Sequence, residues 1–301
     1  MERLGFLAAF GTAICWSFSA IFFEKASLRS GTLAVNFWKV VFAFVFLTIT
    51  GTVLRGMPLP LDASPHAWLF LALSGLIGFV VADFFLFNAY VMIGARVTVV
   101  FQALTPIFTA LLAFVFLGER MKAESIAAMF VVVAGILIVV ISRNLADKAR
   151  VGKTHRVPLK GYTFAFFSSV FQATGLIFSK VGLGDYDAVS GTQIRVMTAI
   201  AGFGLQALIS GRSKAVFTGL PRDPISLRAT ATGSVFGPFL GVALSLFALQ
   251  NTQAGAASTL MALTPVLIIP PAILILKQKV RPAEIAGAVL AVCGAALFFM
   301  R

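Results

Sequence analysis

Apolar residues fall in ten long runs separated by short polar links. The runs cover 4–23, 34–54, 67–90, 97–117 and 125–141, then 161–180, 188–209, 229–250, 254–276 and 283–300. Runs of this length cross the hydrocarbon of a bilayer. In lipid every backbone N–H and C=O must be bonded within the segment, so each run predicts a helix. The longest polar stretch, 142–160, divides the runs into two sets of five. An odd number of spans per set forces the second set to insert upside down relative to the first.

The tetrapeptide Ala103-Leu104-Thr105-Pro106 recurs 159 residues later as Ala262-Leu263-Thr264-Pro265. The same offset aligns Gly78 with Gly237, Ala89 with Ala248, Ala95 with Ala254 and Gly135 with Gly294. Matches in register within equivalent runs indicate a duplicated unit. The predicted fold is an all-α polytopic membrane protein. It has ten transmembrane helices, arranged as two inverted five-helix repeats around a central cavity. The repeats occupy 1–141 and 161–301, and 142–160 forms a basic linker. The first run starts at Leu4 and is long enough to span, which predicts a retained helix and not a cleaved signal.

Composition supports lipid as the solvent. The chain of 301 residues is 59% hydrophobic and 12% charged, about half the charge fraction of a soluble domain. Mean hydropathy is +0.98. The net charge of +13 is concentrated in the links, which suits anionic headgroups better than nucleic acid. Links after odd-numbered runs carry 16 Lys and Arg, and the other side with both termini carries 6. That bias places the central linker in the cytoplasm and the termini outside. Cys15 and Cys293 lie inside apolar runs, so no disulfide framework is indicated. His66 and His155 lie in links, and no metal-ligand spacing or phosphate loop is present. The sequence therefore predicts no catalytic residue, no metal and no cofactor.

Charges inside the runs are the sharpest candidates, since each costs about 2.5–3.5 kcal/mol or more at a helix centre unless paired or hydrated. Lys39 lies early in the second run, Arg195 early in the equivalent seventh, and Asp83 late in the third. Lys39 and Asp83 lie at similar depth, roughly 7–11 Å from one face at 1.5 Å per residue, and could pair. Such a pair either pins two helices or holds a protonatable carboxylate whose charge is released during transport. Asp83 has no acidic equivalent, because the repeat offset lands on Val242. Arg195 therefore lacks a partner within its own repeat. It suits a substrate carboxylate or phosphate, or else snorkels to the interface.

Gln102, Gln172, Gln193, Gln250, Asn36, Asn88 and Asn251 lie within or at the ends of runs. Each either bonds a neighbouring helix or contributes to a polar lining. Gln102, Gln172 and Gln250 are candidates for that lining, with Trp16 beside them. Phe84, Phe85, Phe87 and Tyr90, with Phe18, Phe22 and Phe23, could line an apolar pocket. Pro106 and Pro265 predict matched kinks, with Thr105 and Thr264 satisfying freed carbonyls. These kinks serve either as a gate or as fixed packing features. Pro270-Pro271 predicts further distortion in the second copy, and Gly75–Gly78 and Gly233–Gly237 allow close helix approach. Glu119 and Glu124 are expected to be solvated interface charges.

Ala103-Leu104-Thr105-Pro106, Leu117-Gly118-Glu119-Arg120 and Ala134-Gly135-Ile136 together resemble the repeat unit of the EamA-type branch of the drug/metabolite transporter superfamily. Trp16-Ser17 and the early basic residue, Lys39 and again Arg195, also resemble it. In the second copy Leu276-Lys277-Gln278-Lys279 replaces the Leu-Gly-Glu-Arg turn, which removes a symmetric role for Glu119. The resemblance covers essentially the whole chain. It implies ten helices in two inverted units around a cavity, and efflux or exchange of small metabolites, often amino acids. It also implies cytoplasmic termini, opposite to the charge count.

The expected function is secondary transport of a small organic solute by alternating access in a bacterial inner membrane. Its partners are a small-molecule substrate, membrane lipid and, as a coupling ion, protons; a monomer suffices. A nucleotide-sugar or sugar-phosphate carrier, a membrane sensor and a lipid-handling protein are the alternatives.

Overall fold

Helix accounts for nearly all of the residues described in the computed structural model, which are 1–93, 98, 101–102, 104–151, 159–267 and 281–297. Ala95, Arg96, Ala103, His155, Pro270-Pro271 and the Leu276-Lys277-Gln278-Lys279 segment lie outside the described residues.

The first half contains α1 (Glu2–Ser30), α2 (Thr32–Arg55), α3 (Pro65–Gly75), a π-helical segment π1 (Leu76–Val81), α4 (Ala82–Ile93), α5 (Thr105–Leu117) and α6 (Ala123–Val151). The second contains α7 (Leu159–Leu183), α8 (Ala188–Ile209), π2 (Ala215–Gly219), α9 (Leu220–Arg222) and α10 (Pro224–Ser234). It continues through π3 (Val235–Gly241), α11 (Val242–Asn251), α12 (Ala254–Met261), α13 (Thr264–Leu267) and α14 (Pro282–Ala296). Five described helices are long and apolar enough to cross a membrane: Thr32–Arg55, Pro65–Ala89, Leu159–Leu183, Ala188–Ile209 and Pro224–Asn251.

The duplication is visible in the element boundaries. α3 and α10, π1 and π3, and α6 and α14 all start 159 residues apart. Side chains reinforce it. Ser74 on α3 donates to the Gly175 carbonyl on α7 at 2.6 Å, and Ser19 on α1 donates to the Gly233 carbonyl on α10 at 2.9 Å. These are equivalent crossings with the serine on opposite partners. α1 packs on α10, π3 and α11, whereas α7 packs on α3, π1 and α4. Each half thus lays its first helix across the other half.

Inversion follows from one face. An open pocket of about 370 Å³ gathers Glu2 at the start of α1, Glu119 after α5, Lys180 near the end of α7, and 250–253 between α11 and α12. α1 begins where α7 ends, so the two leading helices run in opposite directions.

Local chemistry sets the boundaries. Gly31, at φ 81, separates α1 from α2 in a backbone region that side-chained residues rarely adopt. Gly118 closes α5 in the left-handed conformation, its N–H donating to the Ala113 carbonyl. Ser64, Asp187 and Asp223 cap α3, α8 and α10 with their side chains.

The expected proline kinks are helix restarts. Pro106 and Pro265 are the second residues of α5 and α13, each following a short non-helical turn. Proline lacks the N–H a continuous helix needs, while a first turn leaves that donor free. Ser169 on α7 donates to the Phe101 carbonyl at 2.7 Å, and Ser17 on α1 donates to the Thr264 carbonyl at 3.1 Å. Each break is bonded by the leading helix of the opposite half. Thr264 bonds the Met261 carbonyl as expected, whereas Thr105 bonds the Gln102 side chain.

The outer surface is apolar, with Ile49, Val53, Leu111, Val115, Phe116 and Leu208 exposed. Lys39, Asp83 and Arg195 are buried. Charge inside and apolar residues outside is the polarity of a protein solvated by lipid.

Candidate functional site

Lys39 of α2 and Asp83 of α4 meet at 2.6 Å between Nζ and Oδ2. Their side chains are 3% and 11% exposed. Asp83 is the second residue of α4, whose first residue, Ala82, directly follows π1. Three rings surround the ammonium: Phe87 at 5.2 Å, Phe23 at 5.7 Å and Phe203 at 6.0 Å. The carboxylate and the ring faces supply negative potential that replaces water around the lysine.

Arg195 lies on α8, and its residue is 5% exposed. Its guanidinium sits over the Phe79 ring at 4.9 Å. Its Nε has no hydrogen-bond partner, and among the described residues no carboxylate pairs with it. Two glycines shape its surroundings. A methyl group on Gly75 would stand 2.4 Å from the Arg195 carbonyl oxygen, and one on Gly78 would stand 3.3 Å from Nη2.

The two cations share one helix pair. Along the α3–π1–α4 helix, Phe79 holds Arg195 and, one turn later, Asp83 holds Lys39. Along α8, Phe203 contacts Lys39 eight residues beyond Arg195, an axial separation of about 12 Å.

The amides are mostly committed to bonds between elements. Gln102 donates to Ser168 at 2.7 Å, and Gln193 donates to Thr48 and to the Pro58 carbonyl. Gln250 donates to the Gly184 carbonyl at 2.6 Å and to that of Tyr186 at 3.2 Å, on the face that carries Glu2. Gln250 is therefore distant along the bundle from the Lys39 pair. Asn88 and Asn251 bond carbonyls one turn back in their own helices. Gln172 is half-buried on α7, without a bond to another described residue. Asn36 is buried, and its Oδ1 has no partner. Trp16 packs against the core cluster that holds Val40, Ala43 and Val242, and its Nε1 would lie 3.2 Å from a methyl group on Gly241.

Phe79 and Phe203 were not among the residues the sequence singled out. Their signal was helical spacing, four residues before Asp83 and eight after Arg195.

Glu119 is not a solvated interface charge. It pairs with Lys180 at 2.6 Å and accepts from the Ala254 N–H at 2.9 Å, which caps α12. Lys180 also donates to the Thr252 carbonyl. On the same face Arg55 bonds Asp62 and Ser190, and the Tyr186 hydroxyl donates to Asp62 at 2.8 Å. On the opposite face Arg29 pairs with Asp223 at 2.8 Å.

Hydrogen bonds from Arg29 and then Ser226 hold the Asp223 carboxyl down to about 2, below its ordinary 3.8. A depressed carboxylate stabilises the folded state fully above the ordinary value and loses that contribution as pH falls through the depressed one. This ion pair is therefore expected to persist at neutral and mildly acidic pH and to break as pH falls from about 4 to about 2. A carboxyl carbon-13 titration of Asp223 should show that low midpoint, and a midpoint near 3.8 would show that the pair is absent in solution.

No group of three or more His, Cys, Asp or Glu side chains able to hold a metal occurs among the described residues. The EamA-like transporter family matches the chain over residues 3–141 and again over 159–300. One similar solved structure, titled only as the crystal structure of a protein, has a TM-score of 0.74 at 19% identity. The alignment covers 98% of this chain and 96% of that one, and it establishes the shared fold. No curated protein sequence matches significantly. Two family matches that together span most of the chain, on an inverted repeat of membrane helices, show that it belongs to the EamA-like transporter family, a family of transporters and not of enzymes.

Proposed function

We propose that this transporter exchanges or exports small zwitterionic metabolites such as amino acids by alternating access, with Arg195 receiving the carboxylate. The observation that carries this reading is a buried guanidinium with no carboxylate partner among the described residues. A desolvated arginine is an incomplete site that a planar anion completes through paired hydrogen bonds. Phe79 beneath it offers an apolar surface for the rest of the solute. Gln172 and Trp16 are candidates for contact with the polar and apolar parts of the cargo. Gln102 and Gln250 support the lining through their bonds to other elements.

The units 1–141 and 161–301 form the two walls of one pathway, joined by the linker 142–160. Their matched breaks at Pro106 and Pro265 are the candidate gating elements. A monomer in a bacterial inner membrane suffices. Asp83 is the carboxylate through which a proton gradient would act.

The test is the concentration dependence of uptake into proteoliposomes for the wild type and for Arg195→Gln. A hydrogen bond to a charged group contributes about 1.5–3 kcal/mol, so half-saturation should rise roughly tenfold or more in the variant. Arg195→Lys should recover only part of the loss, because an ammonium lacks the planar fork. Unchanged half-saturation in Arg195→Gln would remove Arg195 from the binding site.

A further inference from the structure

A second cation lies at a similar depth in the equivalent helix, although the 159-residue offset aligns Lys39 with Thr198 and not with Arg195. Lys39 is about 10 Å along α2 from its start, and Arg195 is about 10 Å along α8 from its start. Because the halves are inverted, the two cations lie near opposite faces. Each packs against an aromatic ring of the other half or of α4. They differ in one respect: Lys39 has Asp83, and the position equivalent to Asp83 in the second half is Val242.

We propose that Lys39 is a second anion site, occupied by the chain's own Asp83, and that this tethered carboxylate restricts cargo to a single uncompensated anionic group. The proposal rests on the reading of Arg195 as the site for the cargo's carboxylate. Three observations support it. The Lys39 ammonium is enclosed by Phe23, Phe87 and Phe203, and its hydrogen bond among the described residues goes to the Asp83 carboxylate. The contact is end-on, at 2.6 Å through one carboxylate oxygen, which a free carboxylate can reproduce. Of the pair, the carboxylate is the more exposed partner, at 11% against 3% for the lysine. A cargo with two anionic groups would find Arg195 available and Lys39 already taken.

Removing the tethered carboxylate should convert Lys39 into a site for an external one. Asp83→Ala is tested by thermal unfolding in detergent with sodium formate, with formamide as the neutral control at matched ionic strength. Formate should raise the midpoint of Asp83→Ala in a saturable way, and formamide should not. All variants in this unfolding test are compared in an Arg195→Gln background, which removes the other carboxylate site; there the parent should not respond, nor should the added pair Lys39→Met/Asp83→Val, which has no cation at this position. Asp83→Ser, which also vacates the carboxylate's volume, takes the same test if Asp83→Ala does not fold.

No saturable formate effect in either variant would overturn the proposal, including the case in which neither folds at any formate concentration. So would an equal effect with the added pair Lys39→Met/Asp83→Val. In proteoliposomes, Asp83→Ala should also shift preference toward dicarboxylates over monocarboxylate zwitterions by tenfold or more, and an unchanged preference would contradict the specificity role. The unfolding measurement uses formate alone, so it stands or falls separately from the assignment of amino acids as cargo.

Discussion

Lys39→Met is expected to destabilise the folded protein by about 3–5 kcal/mol, because it leaves the Asp83 carboxylate buried without its counter-ion. The ammonium is enclosed by three rings and one carboxylate, with no water-facing side to compensate. Coulomb attraction and hydrogen bonding offset the desolvation of both groups only while both are present. Replacing the two together with apolar residues of similar volume, as in Lys39→Met/Asp83→Val, should recover most of the loss. Thermal unfolding of the single and double variants measures this. Equal losses in both would mean that packing, and not charge, dominates at the pair.

Gly75→Ala is the second large effect. The added methyl would stand 2.4 Å from the Arg195 carbonyl oxygen and 2.9 Å from its Cα. Both are backbone atoms of α8, so relief requires moving a helix. Gly175→Ala meets the same obstacle, at 2.6 Å from the Gly78 Cα. Overpacking of this kind costs about 1–3 kcal/mol. Gly219→Ala is the contrast, since nothing lies within 4 Å of the added group. A lowered unfolding midpoint for Gly75→Ala and Gly175→Ala, with Gly219→Ala near wild type, is the expected pattern. Near-normal stability of Gly75→Ala would mean that α3 and α8 stand further apart than the structure places them.

The repeated Ala-Leu-Thr-Pro segment and the alignment of glycines at one offset made the duplication legible, and five spans per half made the inversion follow. The Lys39–Asp83 pair was legible as a match of depth, since rise per residue fixes how far each side chain lies from a face. The π segments were not legible. π1 contains no proline, and its wide turn accompanies close packing of Gly75 and Gly78 against α8 and α7, which is a tertiary fact. The prolines were visible, but a proline can bend a helix or start one. The choice depended on Ser17 and Ser169 in distant helices, which bond the broken turns. Glu119 was misread because its partners, Lys180 and the Ala254 N–H, come from the other half. The ring beneath Arg195 was hidden among 31 phenylalanines, most of which are available for packing or lipid contact.

In the proposed mechanism Arg195 selects a solute by its carboxylate. The most direct measurement is radiolabelled counterflow in proteoliposomes, comparing amino acids with the amines that lack only the carboxylate, without a pH gradient. Exchange of at least one amino acid and none of its matching amine is expected, with that exchange weakened in Arg195→Gln. Equal exchange of the amine, or no exchange of any amino acid by folded protein, would contradict it.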